Sequence, residues 1–514
     1  MHEECFGEGP FTFRLNDAGS GPQLLTQVCL ERGWKEYNLD SGDQWNLWWK
    51  ASGFPANYHR NLYSWQYINH IPKGSSICRK DNLVRHLRCM KKIYGNIYDF
   101  SPHGYNLPVE YTKLAAECNK PRTMNAKDQS EGYFDANPIW ICKPVAQSQG
   151  RGIFLFRNLS ELNYDTNTIV QKYIERPLLI GGYKFDLRLY VCIPSYHPLT
   201  IYMYREGLAR FGTDKFTLND LRNPFRHLTN SSINKLGPGY AEMKDRVGSG
   251  CKWTLKQLRR YFRQAGISDW LLWQKISVLV VLTVLSQVPQ VPPTSNCFEF
   301  FGFDVLIDHL LKPWLLEVNL SPALGNDCDA DQSVKKPMLH DLFDLLGLPL
   351  YNTGLSVFSI WNEDFKENNR ELCANKNATL SVMNAAGRWR KKQRQKSARP
   401  KSSSRYKPKS PSKPKIRKQK SENKDSSHWG NGKDWTIGPK REGGWIKLCP
   451  FNERTQFYSY LEKGSAKQIV CQLTKWMRSA KEIAKTHPHA SECQLNEFLA
   501  KDVELMGEVW IPPI

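Results

Sequence analysis

Apolar residues along this 514-residue chain recur with two periods, and each change of period marks an element. In PQLLTQVCLERGWKEY, Leu24, Leu25, Val28 and Cys29 share one helical face, and Gly33 ends the pattern. A second helix, RKDNLVRHLRCMKKIYG, sets Leu83, Leu87 and Met90 against Arg79, Lys80, Arg85, Arg88, Lys91 and Lys92, a basic face for water or for an acidic substrate. From Ile139 the period falls to two. Ile139 to Ile141, Ile153 to Phe156 and Ile169 to Ile174 read as strands, and in GGYKFDLRLYV the apolar Phe185, Leu187 and Leu189 alternate with Lys184, Asp186 and Arg188. Ile201 to Phe211 is a further strand carrying Arg205 and Arg210. The run from Ile276 to Val288, interrupted by Ser277, Thr283 and Ser286, is too short for a bilayer and reads as a core helix. Amphipathic spacing returns over 466–485 and 491–506, predicting two helices that dock on the core or the substrate. The Trp- and Tyr-rich start of the chain reads as packing aromatics.

Between Cys297 and Leu324, FEFFGFDVLI and PWLLEVNL flank a break at His309 to Lys312 and predict a β-hairpin with a four-residue loop. Centring it between Leu310 and Leu311 sets Asp304 across from Glu317, with Asn319 on the face of Glu317. Two carboxylates and an amide on a greasy sheet suit a hard cation such as Mg²⁺, held together with substrate phosphates; a solvated acidic edge is the plainer reading. In KPVAQSQGRGI a loop from Gln147 to Gly152 lies between two strands. Gly150 and Gly152 let backbone N–H groups approach phosphate, and Lys143 can reach the same oxygens. This is neither a Walker loop nor a Rossmann turn. Ile169 to Ile174 can offer backbone groups to an adenine edge, and Lys184, Asp186 and Arg188 suit ribose, phosphate and a carboxylate. HLTNSSINK adds Thr229, Asn230, Ser231 and Ser232.

Composition changes the picture at one end only. Of the net charge of +22, +15 falls between Arg388 and Asp425, where 17 Lys or Arg face two acidic residues in a Lys, Ser and Pro low-complexity stretch. That segment is expected to be disordered and to meet a polyanion, with a solvated linker and nucleic-acid binding as weaker readings. The 14 cysteines show no C-x-x-C pair and no apolar leader follows Met1, which predicts a reduced, cytoplasmic chain.

The ordered motifs KPVAQSQGRGI, QKYI, GGYKFDLRLYV, REGLARF, HLTNSSINK, GSGCKWTL and FGFDVLID…PWLLEVNLSPAL closely resemble the tubulin tyrosine ligase-like family in its glutamylase branch, over about residues 10 to 350, with a weaker match at GGWIKLCPFNE. The resemblance implies an α/β ATP-grasp fold of α+β lobes. The chain then divides into an N-terminal lobe (1–75), a central lobe (76–195), a C-terminal lobe with the Mg²⁺ site (196–350), a connector (351–387), the basic segment (388–428) and a partly helical end (429–514). It implies ATP contacts at Lys143, Gln149, Gly150, Arg151 and Gly152, at Gln171, Lys172, Tyr173 and Ile174, at Lys184, Phe185 and Asp186, and at Thr229 and Asn230. Asp304, Glu317 and Asn319 match the family's Mg²⁺ ligands, and Arg210, Ser231, Ser232, Lys252 and Lys335 resemble residues that hold the incoming amino acid. Lys143, Arg188 and Glu317 are the expected catalytic groups.

The activity so implied is ATP-dependent ligation of free L-glutamate to tubulin C-terminal tails through an acyl phosphate, by a monomer at cytoplasmic microtubules, the cilium or basal body included. No membrane and no nucleic acid are expected. Gln149 stands where branch-lengthening members carry Gln and branch-starting ones Arg, which favours elongation. Glycine ligation in the same fold and a silent microtubule scaffold are the alternatives. Gly181, Gly182 and Cys78 depart from the family pattern, away from the expected metal and phosphate positions.

Overall fold

The computed structural model describes residues 6, 10–17, 21–38, 44–120, 137–145, 149–164, 167–247, 251–350, 427–462 and 464–514. Gln147, the GSG of GSGCKWTL, the connector 351–387 and the basic segment up to 426 lie outside them. Residues 1–349 and 425–514 form one compact unit.

Three sheets carry the architecture. A small parallel sheet in the order β2-β1-β3-β4 joins β1 (Thr12–Leu15), β2 (Lys35–Glu36), β3 (Leu47–Trp49) and β4 (Tyr67–Ile68). A four-stranded antiparallel sheet in the order β5-β8-β6-β7 joins β5 (Gly104–Leu107), β6 (Trp140–Pro144), β7 (Phe154–Phe156) and β8 (Thr168–Lys172). The large sheet runs β14-β13-β10-β11-β16-β15, from β10 (Tyr183–Tyr196), β11 (Leu199–Phe211), β13 (Glu299–Ile307), β14 (Pro313–Asn319), β15 (Arg441–Glu442) and β16 (Trp445–Cys449). Short strands β9 (Leu179–Ile180) and β12 (Lys252–Thr254) pair with β10 and β11. Strand β10 pairs with β11 and β13 and so belongs to the large sheet.

Helices cover the sheets as their apolar faces require. Helix α1 (Gln23–Glu31) buries Leu24, Leu25, Val28 and Cys29 as the pattern predicts, and α2 (Lys80–Tyr94) buries Leu83, Val84 and Leu87. Much of the basic face of α2 turns inward or pairs locally. Arg88 meets Glu110 at 2.5 Å and Lys91 meets Asp99 at 2.5 Å, while Arg79 meets Asp81 at 3.0 Å. Helix α3 (Leu255–Gln264) starts at a capping box built by Thr254 and Gln257. Helix α4 (Trp270–Leu285) is apolar all round. With the turn after it, it is longer than the apolar run suggested and is long and apolar enough to cross a membrane, yet 89% of its apolar 18-residue window is buried within the fold. Helix α5 (Asp329–Leu345) packs beside α1, where Arg32 donates to Asp344 at 2.8 Å and to the Leu348 carbonyl at 2.9 Å. The two closing helices form as α6 (Ser465–Thr486) and α7 (Glu492–Asp502), and Leu473 and Trp476 of α6 join the same core cluster as Val278 and Val281 of α4.

Candidate active site

The β5–β8 sheet and the site face of the large sheet enclose a cleft of about 80 Å³. On β10 the alternation does what the sequence predicted. Phe185, Leu187 and Leu189 enter the main core, and Lys184, Asp186 and Arg188 face the cleft side, all buried among partners. Lys184 Nζ donates to Tyr173 Oη at 2.8 Å and to the His227 carbonyl at 2.7 Å, and burial pushes it down to about 7, against the pull of Asp186. Asp186 takes a bidentate pair from Arg210 at 2.9 and 2.5 Å. Arg188 holds Asp304 at 2.6 and 3.1 Å, and Arg210 reaches the same carboxylate at 2.8 Å. Burial works against the Asp304 charge, yet these two guanidiniums outweigh it and hold its carboxyl well below the usual range.

The hairpin places the second carboxylate. Its strands close at Ile307 and Pro313 on a five-residue loop, 308–312, one residue longer than expected, in which Asp308 accepts from the N–H groups of Leu310 and Lys312. A bulge between Asp304 and Val305 then restores the predicted pairing of Asp304 with Glu317. Asn319 Nδ2 lies 3.4 Å from Glu317 Oε1, and Lys80 Nζ lies 3.7 Å from its Oε2. Burial and then the Asp304 charge push the Glu317 carboxyl up. Across the cleft Lys143 Nζ donates to Gln171 Oε1 at 2.9 Å, and burial lowers it to about 8, partly offset by Glu317.

The glycine loop forms the remaining wall. Gly150 has φ +78°, and a Cβ there would lie 2.4 Å from Ile233 Cδ1 and 3.0 Å from Asn230 Oδ1, so the backbone must stay bare to pass. Gln149, Gly150, Thr229, Asn230 and Tyr173 line the cleft with Ile174. Arg151 and Gly152 are exposed beside it, and Arg151 reaches the Gln149 amide at 3.5 Å. Ser232 accepts the task of bracing that loop, donating to the Gln149 carbonyl at 3.3 Å, while Ser231 opens the short helix Ser231–Asn234.

Some predicted residues go elsewhere. The Phe185 side chain is in the core rather than at the cleft, and Arg205 donates to the Ile511 carbonyl on another part of the sheet. Lys252 and Lys335 lie together around the buried Asp331, at 2.6 and 2.8 Å, with β12 carrying Lys252 directly beside Arg210. The sequence reading did not place Lys80, His227 or Asp331 here. Only Asp331 had a local signal, its i,i+4 spacing to Lys335 on one helix. A larger cavity of about 390 Å³ opens behind the 172–174 segment, but the carboxylates and the Lys143 and Lys184 amines line only the smaller one.

Five cations, Lys80, Lys143, Lys184, Arg188 and Arg210, meet three carboxylates, Asp186, Asp304 and Glu317, which leaves a surplus of positive charge for a polyphosphate. Among the described residues no three His, Cys, Asp or Glu side chains are grouped to hold a metal alone. Two carboxylates and an amide oxygen still fit Mg²⁺, which takes the rest of its shell from phosphate and water, and the raised Glu317 carboxyl marks negative charge that a cation would relieve.

Residues 57–353 match the family model described as the tubulin-tyrosine ligase family. The chain is 46% identical over 342 residues to the probable tubulin polyglutamylase TTLL2 of Homo sapiens, covering 66% of this chain and 56% of that protein. For the TTLL2 protein of Mus musculus the identity is 48%, with 66% and 62% covered. The tubulin polyglutamylase TTLL5 of Homo sapiens is 33% identical over 467 residues, 86% of this chain and 33% of that one. The chain thus spans roughly three-fifths or less of the length of these relatives.

Proposed function

The chain belongs to the tubulin-tyrosine ligase family and has its ATP-grasp fold, and on that premise we propose that it is an ATP-dependent ligase that joins glutamate to the acidic tails of tubulin. One observation carries the reading: Asp304 and Glu317 converge with Lys80, Lys143 and Lys184 in a single cleft between two sheets, with Asn319 3.4 Å from Glu317 beside it. A carboxylate does not form an amide in water because its oxygen leaves poorly. The acceptor carboxylate first attacks the γ-phosphorus of ATP, releasing ADP and giving an acyl phosphate. The glutamate amine then attacks the acyl carbon, phosphate leaves with the C–O bond electrons, and the nitrogen gives up a proton.

The residues divide that work. Gln171 to Ile174 and Lys184 hold the nucleoside end, and the bare backbone at Gly150 with Lys143 holds the phosphates. Asp304, Glu317 and Asn319 would hold Mg²⁺, which would neutralise charge on the phosphate oxygens. Arg188 and Arg210 keep Asp304 ionised and in place for it. Lys252, beside Arg210, and Lys335, which shares Asp331 with it, receive the carboxylates of the amino acid, which favours glutamate over glycine, whose side chain offers no charge to them. A scaffold without catalysis needs no facing carboxylates such as the buried Asp304 and the half-buried Glu317. Gln149 in the loop favours lengthening of a branch over starting one. A tubulin substrate places the monomer in the cytoplasm at microtubules, cilium and basal body included.

The test is a synthetic tubulin-tail peptide carrying a glutamate branch, incubated with the protein, Mg-ATP and either glutamate or glycine and read by mass spectrometry. Stepwise addition of glutamyl residues with stoichiometric ADP supports the reading; glycyl addition alone, or none, contradicts it.

A further inference from the structure

We infer that Asp331 is the positioning residue of the amino-acid pocket, fixing the Lys252 and Lys335 ammonium groups so that together they receive one carboxylate, that of the incoming side chain. The inference rests on the reading above that these lysines face the amino acid. Asp331 has no solvent exposure, and Lys252 and Lys335 are 6% and 4% exposed. Lys252 Nζ meets one carboxylate oxygen at 2.6 Å, and Lys335 Nζ meets the other at 2.8 Å while donating to the Gly325 carbonyl at 2.7 Å. Each ammonium has three donors. Lys252 hydrogen-bonds Asp331 and Lys335 the Gly325 carbonyl, while the Lys335–Asp331 contact is an ion pair whose carboxylate oxygen takes no hydrogen bond; each ammonium thus keeps two donors without an acceptor among the described residues, Asp327 standing 3.9 Å from Lys252. Asp331 itself cannot swing. It sits in the first turn of α5 and accepts from the Asp327 N–H at 3.3 Å and the Cys328 thiol at 3.4 Å.

Charge and an orphaned hydroxyl point to the same ligand. Two buried ammonium groups share one buried carboxylate, and the exposed Asp327, 3.9 Å from Lys252, already pairs with Lys235 at 2.9 Å, so an anionic side chain completes a balance that a neutral one leaves open. Tyr190 follows Arg188 by two residues on the same strand, stacks on Phe300 at 5.9 Å and lies within electrostatic reach of Asp331, Arg188, Arg210 and Asp304. Its hydroxyl is buried without a hydrogen-bond partner, as expected where a polar ligand completes the site. A purely structural Asp331 would do no more than cap α5, and the two roles separate by pH. Around Lys335 stand Asp331, Lys252 and Arg188; around Lys252 stand Asp331, Asp327 and, across the β11–β12 ladder, Arg210. Burial lowers Lys335 and Asp331 holds it up. Without that carboxylate the two ammonium groups repel and one loses its proton as pH rises.

The experiment measures ligation by the full chain, wild type beside Asp331→Asn, varying glutamate and ATP separately between about pH 6.5 and 8.5. The expected result is a KM for glutamate raised at least about tenfold with the KM for ATP unchanged, the defect growing as pH rises. An unchanged glutamate KM at every pH, or an equal pH-independent loss for both substrates, overturns the inference while leaving the ligase reading intact. If Asp331→Asn does not fold, the double variant Asp331→Asn with Lys335→Met removes the repulsion; it should fold with a glutamate KM still raised, and a wild-type KM there overturns the inference. A wild type inert to glutamate overturns the ligase reading and this inference with it.

Discussion

Asp304 and Glu317 are cross-strand partners because the β13–β14 ladder is bulged between them and the hairpin loop. Continuing the register set by Ile307 with Pro313 would pair Asp304 with Leu316 and turn Glu317 to the opposite face. The bulge brings both carboxylates onto one patch, where their repulsion is part of the site. Glu317→Gln should therefore melt at the same or a higher temperature than wild type in metal-free buffer, since it removes a like charge from beside Asp304. The same variant should lose ligation by roughly 100-fold or more, the scale of a few kcal/mol of lost charge stabilisation. Calorimetry and turnover on one preparation check both; a clear fall in melting temperature would contradict the first.

Arg210 joins Asp186 and Asp304 and is buried with them. Arg210→Met should destabilise the fold by about 3–5 kcal/mol, because it strands carboxylates in the interior. Asp304 has a folded-state carboxyl held low by Arg188 and Arg210, so its contribution to stability is present above the unfolded carboxyl value and is lost as pH falls toward the folded one. Urea unfolding at neutral and acid pH should thus show wild-type stability falling steeply in acid and a shallower fall in Arg210→Met.

The strand faces and the hairpin pairing were legible in the residues because period-two alternation is local: Lys184, Asp186 and Arg188 declare their face by their neighbours. The bulge was not, since it has no single-residue signature, and the predicted four-residue loop reached the right Asp304–Glu317 pairing by a register that the strands do not keep near the turn. Arg205 and Arg210 lie five residues apart on β11, an odd spacing that alternation sends to opposite faces, and Arg205 serves the chain end at Ile511. Lys80 reaches its site through the long-range packing of α2, which no spacing along the chain reports, whereas Asp331 shows its i,i+4 spacing to Lys335 but not its approach to Lys252. Lys252 and Lys335 were reachable only through family resemblance, and the structure adds the carboxylate between them.

The two buried lysines give nucleotide binding a pH dependence. Lys143 is lowered to about 8 and Lys184 to about 7, both by burial, and on the proposed reading their charged forms favour the anionic nucleotide, Lys143 at its phosphates and Lys184 nearer the nucleoside. ATP affinity should fall as pH rises through about 7 to 8, and binding there should take up protons, seen in calorimetry as heats that depend on the buffer. Stability runs the other way. The unfolded chain binds more protons at these lysines between their folded values and about 10.4, so their contribution to stability rises with pH over that window.

Gly150 and Gly181 both have positive φ, at +78° and +59°, but only Gly150 is crowded, by Ile233 and Asn230. Gly150→Ala should weaken ATP binding by roughly 5- to 30-fold, the equivalent of about 1–2 kcal/mol of left-handed strain. Gly181→Ala, whose Cβ would find only Tyr183 at 3.8 Å, should cost about 1 kcal/mol of stability and leave ATP affinity unchanged. Titration of ATP into the two variants compares them directly.

The central claim is that this cleft ligates glutamate to tubulin and that Asp304 with Glu317 is its metal site. Radiolabelled glutamate, purified microtubules and Mg-ATP, with wild type beside Glu317→Gln, test it most directly. Incorporation by wild type that disappears in the folded variant is the predicted result. No glutamate incorporation by a wild type that still pellets with microtubules, or equal incorporation by both proteins, would contradict the account.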